Sequence, residues 1–321
     1  MSPDKAGIAL NPRYNLRLYL HAYNLVTLWY DQGSTVDLIL FDFVKAFDRV
    51  HHQTLLDKLQ SVGISGNLLQ WNKSFLLDRS MRVSIGGSLS NNVPITSGVP
   101  QGSVLGPLLF LIYVNYIGSS LTCKYMMFAD DLKLFLHNPG DPSSPASAIL
   151  QFNIDTLAAT ASSWGLKFAP GKCVHLCFRR GLGGPFNHEY YLDGIALNQA
   201  SSHKDLGVMV DNKLRFHPHI RQTMAGAGGV ASNLLKSTVC RSLSFMKTLF
   251  ISDVRPLLDF ASPVWNTGFL GDMRLLESVQ RRWTKQVGDM IVSVALPREI
   301  EEAGPVLYKW KTSPFGPYPV L

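Results

Sequence analysis

Three aspartates stand where strand-like apolar runs end. Phe128-Ala129-Asp130-Asp131 lies between the run Cys123-Lys124-Tyr125-Met126-Met127-Phe128 and the run Leu132-Lys133-Leu134-Phe135-Leu136. Both runs have strand length and composition, and two adjacent aspartates between them read as the tip of a tight hairpin. A separate run, Thr35-Val36-Asp37-Leu38-Ile39-Leu40-Phe41, ends in Asp42. Carboxylates held close together repel, and each raises the pKa of the other unless a cation neutralises them. Hard oxygen donors of this kind suit magnesium. If the strands share one antiparallel sheet, Asp42, Asp130 and Asp131 converge on one edge. They could then hold two ions roughly 3.5–4 Å apart, the arrangement used for in-line phosphoryl transfer. The competing reading is three unrelated surface acids.

The elements that must position these acids are legible from periodicity. The run 35–41 is apolar on both sides toward its end, which marks a central strand. A helix is expected over Asn15–Tyr30, with Leu18, Ala22, Leu25 and Trp29 on one face. A second is expected from His51 to Val62, with Leu55, Leu56, Leu59 and Val62 inward and Gly63 as its stop. A third spans Gly66–Leu77, carrying Leu69, Trp71 and Phe75. Met81–Ile85 reads as a strand turned by Gly86-Gly87, and Val104–Ile117 as a buried helix too short and too broken to span a bilayer. Ile149–Trp164 is helical, with Leu150, Ile154, Leu157 and Ala161 inside. Asp141–Pro145 and Gly181–Pro185 read as loops, and 174–178, 190–192 and 206–210 as strands. From about Arg215 the pattern turns helical and basic, with Arg221, Lys236, Arg241, Lys247, Arg274, Arg281, Arg282 and Lys285. His217 and His219 flank Pro218 at a helix start, and the proline-rich tail after Asp289 has no clear period.

Composition bounds the class. The chain has 321 residues, 46% hydrophobic and 17% charged, which suits a large core and excludes a disordered chain. The net charge of +7 fits a polyanionic partner. Cys123, Cys173, Cys177 and Cys240 are too few and too irregular for a disulfide framework, which points to a reducing compartment. Residues 1–15 show no secretory pattern, so an intracellular site, nucleus or cytoplasm, is expected. Cys173, His175 and Cys177 invite a zinc reading, but no second ligand pair follows at finger spacing.

Three segments in order then carry a resemblance. Phe41-Asp42-Phe43-Val44-Lys45-Ala46-Phe47-Asp48, Ser97-Gly98-Val99-Pro100-Gln101-Gly102-Ser103-Val104-Leu105-Gly106-Pro107 and Phe128-Ala129-Asp130-Asp131 are similar to successive motifs of reverse transcriptases of non-LTR (LINE-like) retrotransposons. The resemblance runs from about Thr35 to Lys285. It implies an α+β fold: a right-hand polymerase palm, an antiparallel sheet with packed helices, followed by a mainly helical C-terminal domain. It implies RNA-directed DNA polymerase chemistry on an RNA template, a DNA primer and deoxynucleoside triphosphates, with two Mg2+ ions or Mn2+ in their place. No membrane and no firm protein partner are implied.

By the same resemblance Asp42 and Asp130 are metal ligands, with Asp131 supporting them at the tip. Phe47 falls at an aromatic steric gate against the ribose 2′-hydroxyl; packing in the core is its other reading. Gln101 would touch the template base or the incoming nucleotide, and Gly98 and Gly102 would let the backbone approach it. Phe168-Ala169-Pro170-Gly171-Lys172-Cys173 is similar to the next motif, which makes Lys172 the proton donor to pyrophosphate. Ala169 stands where asparagine is usual, so a supporting hydrogen bond is expected to be missing. Lys204-Asp205-Leu206-Gly207-Val208 resembles the primer-grip hairpin, and 255–265 and 277–282 resemble the helical region beyond it.

The expected organisation is a residual N-terminal helix at 1–34 with incomplete fingers, a palm at 35–214, a thumb-like basic region at 215–290 and an irregular tail at 291–321. Only about 34 residues precede the first acidic strand, and none of them match the fingers motifs that hold the triphosphate. A fingers-truncated fragment is therefore expected. An inactive remnant that only binds nucleic acid is the alternative reading, and an RNA-dependent RNA polymerase a third, which Phe47 opposes.

Overall fold

The computed structural model describes residues 12–138, 145–180, 188–240, 242–266 and 268–292. The chain divides into two compact units, 1–203 and 204–321. In the first, helix α1 (Pro12–Asp31) leads to β1 (Thr35–Phe41), and a 3-10 turn (Ala46–Arg49) leads to α2 (His52–Ser61) and α3 (Gly66–Leu76). Four two-residue strands follow: β2 (Ser80–Met81), β3 (Ser84–Ile85), β4 (Ser88–Leu89) and β5 (Val93–Pro94). Then come α4 (Leu105–Val114), β6 (Lys124–Phe128), β7 (Asp131–Asn138), α5 (Ala146–Ser163) and β8 (Val174–Phe178). The unit closes with β9 (Tyr191–Leu192), β10 (Ile195–Ala196) and β11 (Asn198–Ala200).

The main sheet has the order β11-β8-β1-β7-β6. β1 is its centre and is antiparallel to both β7 and β8. Its alternation explains why it is apolar on both sides. Ile39 and Phe41 enter a core with Leu109, Phe110 and Tyr113 of α4 and Leu150, Ile154 and Leu157 of α5. Val36, Leu38 and Leu40 are buried on the opposite face. Each such aliphatic side chain contributes about 1.5–3 kcal/mol by leaving water. Asn153 of α5, fully buried, accepts from the backbone N–H groups of Thr122 (2.7 Å) and Cys123 (3.3 Å), and so anchors the start of β6.

Several expectations are corrected in detail. The buried face of α1 carries Tyr19, Ala22, Tyr23 and Val26, not Leu25 and Trp29. The reason is Lys133, 1% exposed, whose ammonium lies 5.0 Å above the Tyr19 ring. The rings of this face supply a cation–π partner that leucine cannot. Val62 caps α2 and is 43% exposed, and Trp71 is 51% exposed. The strand expected at 81–85 is broken into two exposed two-residue pieces, with Gly86-Gly87 as the turn between β3 and β4. The loops expected at 141–145 and 181–185 lie largely or wholly outside the described residues.

The second unit starts with a hairpin, β12 (Ser202–Asp205) and β13 (Val208–Asp211). The turn falls at Leu206-Gly207, inside the strand expected at 206–210; both residues have positive φ, at 43° and 89°. Helices α6 (His217–Ser237), α7 (Leu243–Leu249), α8 (Arg255–Asp259), α9 (Ser262–Trp265) and α10 (Leu270–Val292) follow. Their buried side chains include Ile220, Ala227, Leu258, Trp265, Leu276 and Trp283. The boundary between the units falls within β12, between His203 and Lys204.

Lys58 of α2 ties α2 to α4 and α5. Its ammonium donates to the Tyr113 carbonyl and lies 2.8 Å from the centre of the Trp164 ring. Burial lowers its pKa from 10.5 to about 7. Between those pH values the unfolded chain binds a proton that the folded chain lacks, so stability rises as pH rises. In urea denaturation followed from pH 7 to pH 10.5, wild type is expected to gain stability relative to Lys58→Met across that window. A flat difference would show that Lys58 keeps its proton in the fold.

Candidate active site

One register brings two of the predicted acids together. The β1–β7 pairing ends at Phe41↔Leu132, which sets the next residues, Asp42 and Asp131, abreast. By two-residue alternation this pair lies on the face opposite Ile39, Phe41, Leu132 and Leu134. On the other side the β1–β8 ladder ends at Leu40↔Val174, and Lys172, in the turn before β8, reaches Asp42 by its side chain. The Lys172 ammonium is 3.2 Å from Asp42 Oδ2, with the two side chains 72% and 40% exposed.

The hairpin tip differs from expectation. Phe128 pairs with Asp131, so the two-residue turn is Ala129-Asp130, and Asp131 is the first residue of β7. Ala129 takes the left-handed conformation, φ 52°. A two-residue hairpin loop needs positive φ, and here alanine supplies it at a steric cost of roughly 1–2 kcal/mol.

Asp42 is held through its backbone. Its N–H points to Cys173 Sγ at 3.5 Å, and its carbonyl accepts from Ala169 N at 2.8 Å. Val44 N donates to Lys167 O at 2.8 Å, and Phe168 packs between Phe41 and Phe43 with ring centroids 5.0 and 4.4 Å away. Main-chain bonds therefore support this segment, even with Ala169 in place of a side-chain donor. Burial raises the Cys173 thiol to about 11. It acts as a packing group at Asp42 and is not among the residues whose ligand atoms gather around His175 and Cys177.

The glycine loop docks on the 3-10 turn. Phe47, on that turn, stacks on Phe110 at 4.5 Å and is half-buried. Gly98 N donates to Val50 O and Val99 N to Phe47 O, at 2.8 and 3.0 Å. Ser97 Oγ donates to Asp48 O at 2.8 Å, and Gln101 Nε2 donates to Asp48 Oδ1 at 2.7 Å. The Gly98 carbonyl accepts from Arg79 Nη2 at 3.1 Å and from His52 Nε2 at 2.8 Å, which identifies the Nε2–H tautomer of His52. Asp48, His52 and Arg79 were not singled out from sequence. The repeated Phe-Asp of Phe41-Asp42 and Phe47-Asp48 was the one signal for Asp48. The two glycines differ: a Cβ on Gly98 (φ 87°) would lie 2.9 Å from Asp48 Cα and O, whereas one on Gly102 (φ 80°) would meet nothing within 4 Å.

The donor set at this edge is all oxygen and suits a divalent cation of the magnesium type. The exposed Lys172 ammonium stands as a counter-charge against Asp42, and its flexible stem lets it move. Among the described residues, the potential ligand group whose atoms all lie within 4.8 Å is Asp37, His175 and Cys177, not the three aspartates at the edge.

Residues 20–210 match the family model described as reverse transcriptase (RNA-dependent DNA polymerase), and the chain belongs to that family. Relatives include the probable RNA-directed DNA polymerase from transposon BS of Drosophila melanogaster, 28% identical over 81% of this chain and 30% of that protein. The RNA-directed DNA polymerase from mobile element jockey of Drosophila funebris is 32% identical over 56% of this chain and 20% of that protein. The chain thus spans less than a third of the length of these relatives. A solved telomerase from Candida albicans in complex with a fragment of telomeric RNA aligns with 13% identity and a TM-score of 0.47, over 88% of this chain and 52% of that one. The relatives are proteins of transposable elements, and reverse transcriptases generally depend on a divalent metal. No helix among the described residues is long and apolar enough to cross a membrane.

Gly98→Ala is expected to destabilise the first unit by roughly 2–3 kcal/mol, because it adds a backbone clash to an unfavourable φ. Gly102→Ala should cost about 1 kcal/mol from φ alone. Urea denaturation of the two variants side by side checks the ranking; equal losses would show that the loop yields around Asp48.

Proposed function

We propose that this chain carries the nucleotidyl-transfer site of an RNA-directed DNA polymerase, extending a DNA primer 3′-hydroxyl with deoxynucleoside triphosphates on an RNA template. The observation that carries the reading is Asp42, at the end of β1, set abreast of Asp131 at the start of β7, with Asp130 at the adjoining tip and the Lys172 ammonium 3.2 Å from Asp42. Asp42, Asp130 and Asp131 would hold two Mg2+ ions, or Mn2+ in their place. When bound there, the ions lower the pKa of the primer hydroxyl and neutralise the triphosphate and the leaving pyrophosphate.

The chain's own residues supply the rest. Lys172, in reach of Asp42, donates a proton to the departing pyrophosphate. Phe47 is held by its stack on Phe110, so its ring is rigid enough to exclude a ribose 2′-oxygen. Gln101, oriented by Asp48, meets the base pair being formed, and the backbone at Gly98 and Gly102 keeps that approach open. Residues 35–214 are read as the palm. Residues 215–290 are read as a thumb-like region whose Arg221, Lys236, Arg274, Arg282 and Lys285 follow a phosphate backbone. Arg281 pairs with Glu277 at 2.7 Å and is engaged within α10. A nuclear or cytoplasmic site fits the four free cysteines.

Primer extension on an RNA template with deoxynucleotides and magnesium tests this. Asp130→Ala and Asp42→Ala are expected to lower incorporation by about 10³-fold, some 4 kcal/mol of barrier, and Lys172→Ala by about 10²-fold. Phe47→Ala should admit ribonucleotides. No incorporation by folded wild-type protein, with magnesium or manganese, would refute an active site, and binding to a primer–template would then be the property left to measure.

A further inference from the structure

A second cluster of ligand-type side chains lies at the other end of β1. Asp37 is five residues before Asp42, about 17 Å along the strand at 3.3–3.4 Å per residue, and the odd separation places it on the opposite face. Its cross-strand partner on β8 is Cys177, and His175 lies on the same face of β8. The ligand atoms of Asp37, His175 and Cys177 all lie within 4.8 Å of one another. His175 Nε2 is 2.7 Å from Asp37 Oδ1, with side chains 3% and 17% exposed. Tyr190 donates from its hydroxyl to Asp37 Oδ2 at 3.1 Å, and its ring stands edge-on to His175 at 4.9 Å.

We propose that Asp37, His175 and Cys177 form a zinc site, with water as the fourth ligand, that joins β1 to β8. The donor set decides the metal: carboxylate, imidazole and thiolate together suit zinc, whereas magnesium takes oxygen alone. Zinc bonds of about 2.0–2.3 Å set tetrahedral ligand atoms roughly 3.3–3.7 Å apart. The present separations, 2.7 Å between His175 Nε2 and Asp37 Oδ1 and none above 4.8 Å, are within side-chain rotation of that span, so the site can close while the β1–β8 ladder stays in register. Binding releases the Cys177 proton to solvent, and the carboxylate and thiolate then balance the two positive charges of the ion, leaving a neutral, half-buried centre. Tyr190 has the role of an outer partner that orients a ligating carboxylate. Partial exposure of Asp37 and Cys177 leaves a way in for the ion and for the water. This site is independent of the polymerase reading, because it lies at the far end of the strand and on the other face.

Cobalt is the probe. The full chain, stripped with chelator, is titrated with Co2+ and then with Zn2+. One equivalent should give a thiolate-to-cobalt charge-transfer band that zinc abolishes, and zinc should raise the thermal midpoint. Cys177→Ser is expected to remove the band and weaken zinc binding by roughly 100-fold. Tyr190→Phe, which keeps the packing, should weaken it by about 10-fold or more. Cys240→Ser, which removes an exposed thiol, should change neither. No band with folded wild-type protein, a band unchanged by Cys177→Ser, or a band lost in Cys240→Ser would each overturn the proposal. The cluster would then be a hydrogen-bonded Asp–His–Tyr network only.

Discussion

The double pairing of β1 is the constraint on which the rest of this molecule depends. Because β1 is antiparallel to β7 on one side and β8 on the other, two registers decide what stands beside Asp42. A slip of one residue in either ladder would turn every side chain of that strand to the other face. Burial prevents it. Val36, Leu38, Leu40, Ile39 and Phe41 are all buried, so neither face of β1 tolerates exchange with the other. The acid at its end is exposed only because the strand stops there.

The hydrophobic core and the polar edge are mechanically one object. Phe168 fills the space between Phe41 and Phe43, and the residues beside it bind the backbone of Asp42 and Val44. Phe47 joins the 3-10 turn to α4 through Phe110. The glycine loop then rests on that turn through bonds to Phe47, Asp48 and Val50, and Gly98 is the point of closest approach. Polar groups on loops are thereby given the rigidity of the sheet and its helices.

One strand also separates two kinds of donor. The end at Asp42 gathers aspartate oxygens with an exposed lysine beside them. The end at Asp37 gathers oxygen, nitrogen and sulfur in a more enclosed setting, tied by Tyr190. Strand alternation and length keep the two sets of side chains apart.

What the sequence determined by itself was local pattern and motif order. Thr35–Phe41 and Val174–Phe178 were read with the bounds they have, and the inward Leu150, Ile154, Leu157 and Ala161 of α5 followed from helical spacing. The carboxylates, Gln101 and Lys172 were named by motif. Tertiary structure alone decided the rest. It made Ala129-Asp130 the turn, because strand pairing carried Asp131 into β7. It turned Tyr19 inward over a buried lysine that periodicity cannot anticipate. It separated Cys173 from His175 and Cys177 and brought in Asp37 from a strand far away in the chain. Spacing along a chain reports which face a residue shares with its own neighbours; which other strand stands opposite is decided by pairing between distant segments, and no local pattern encodes it.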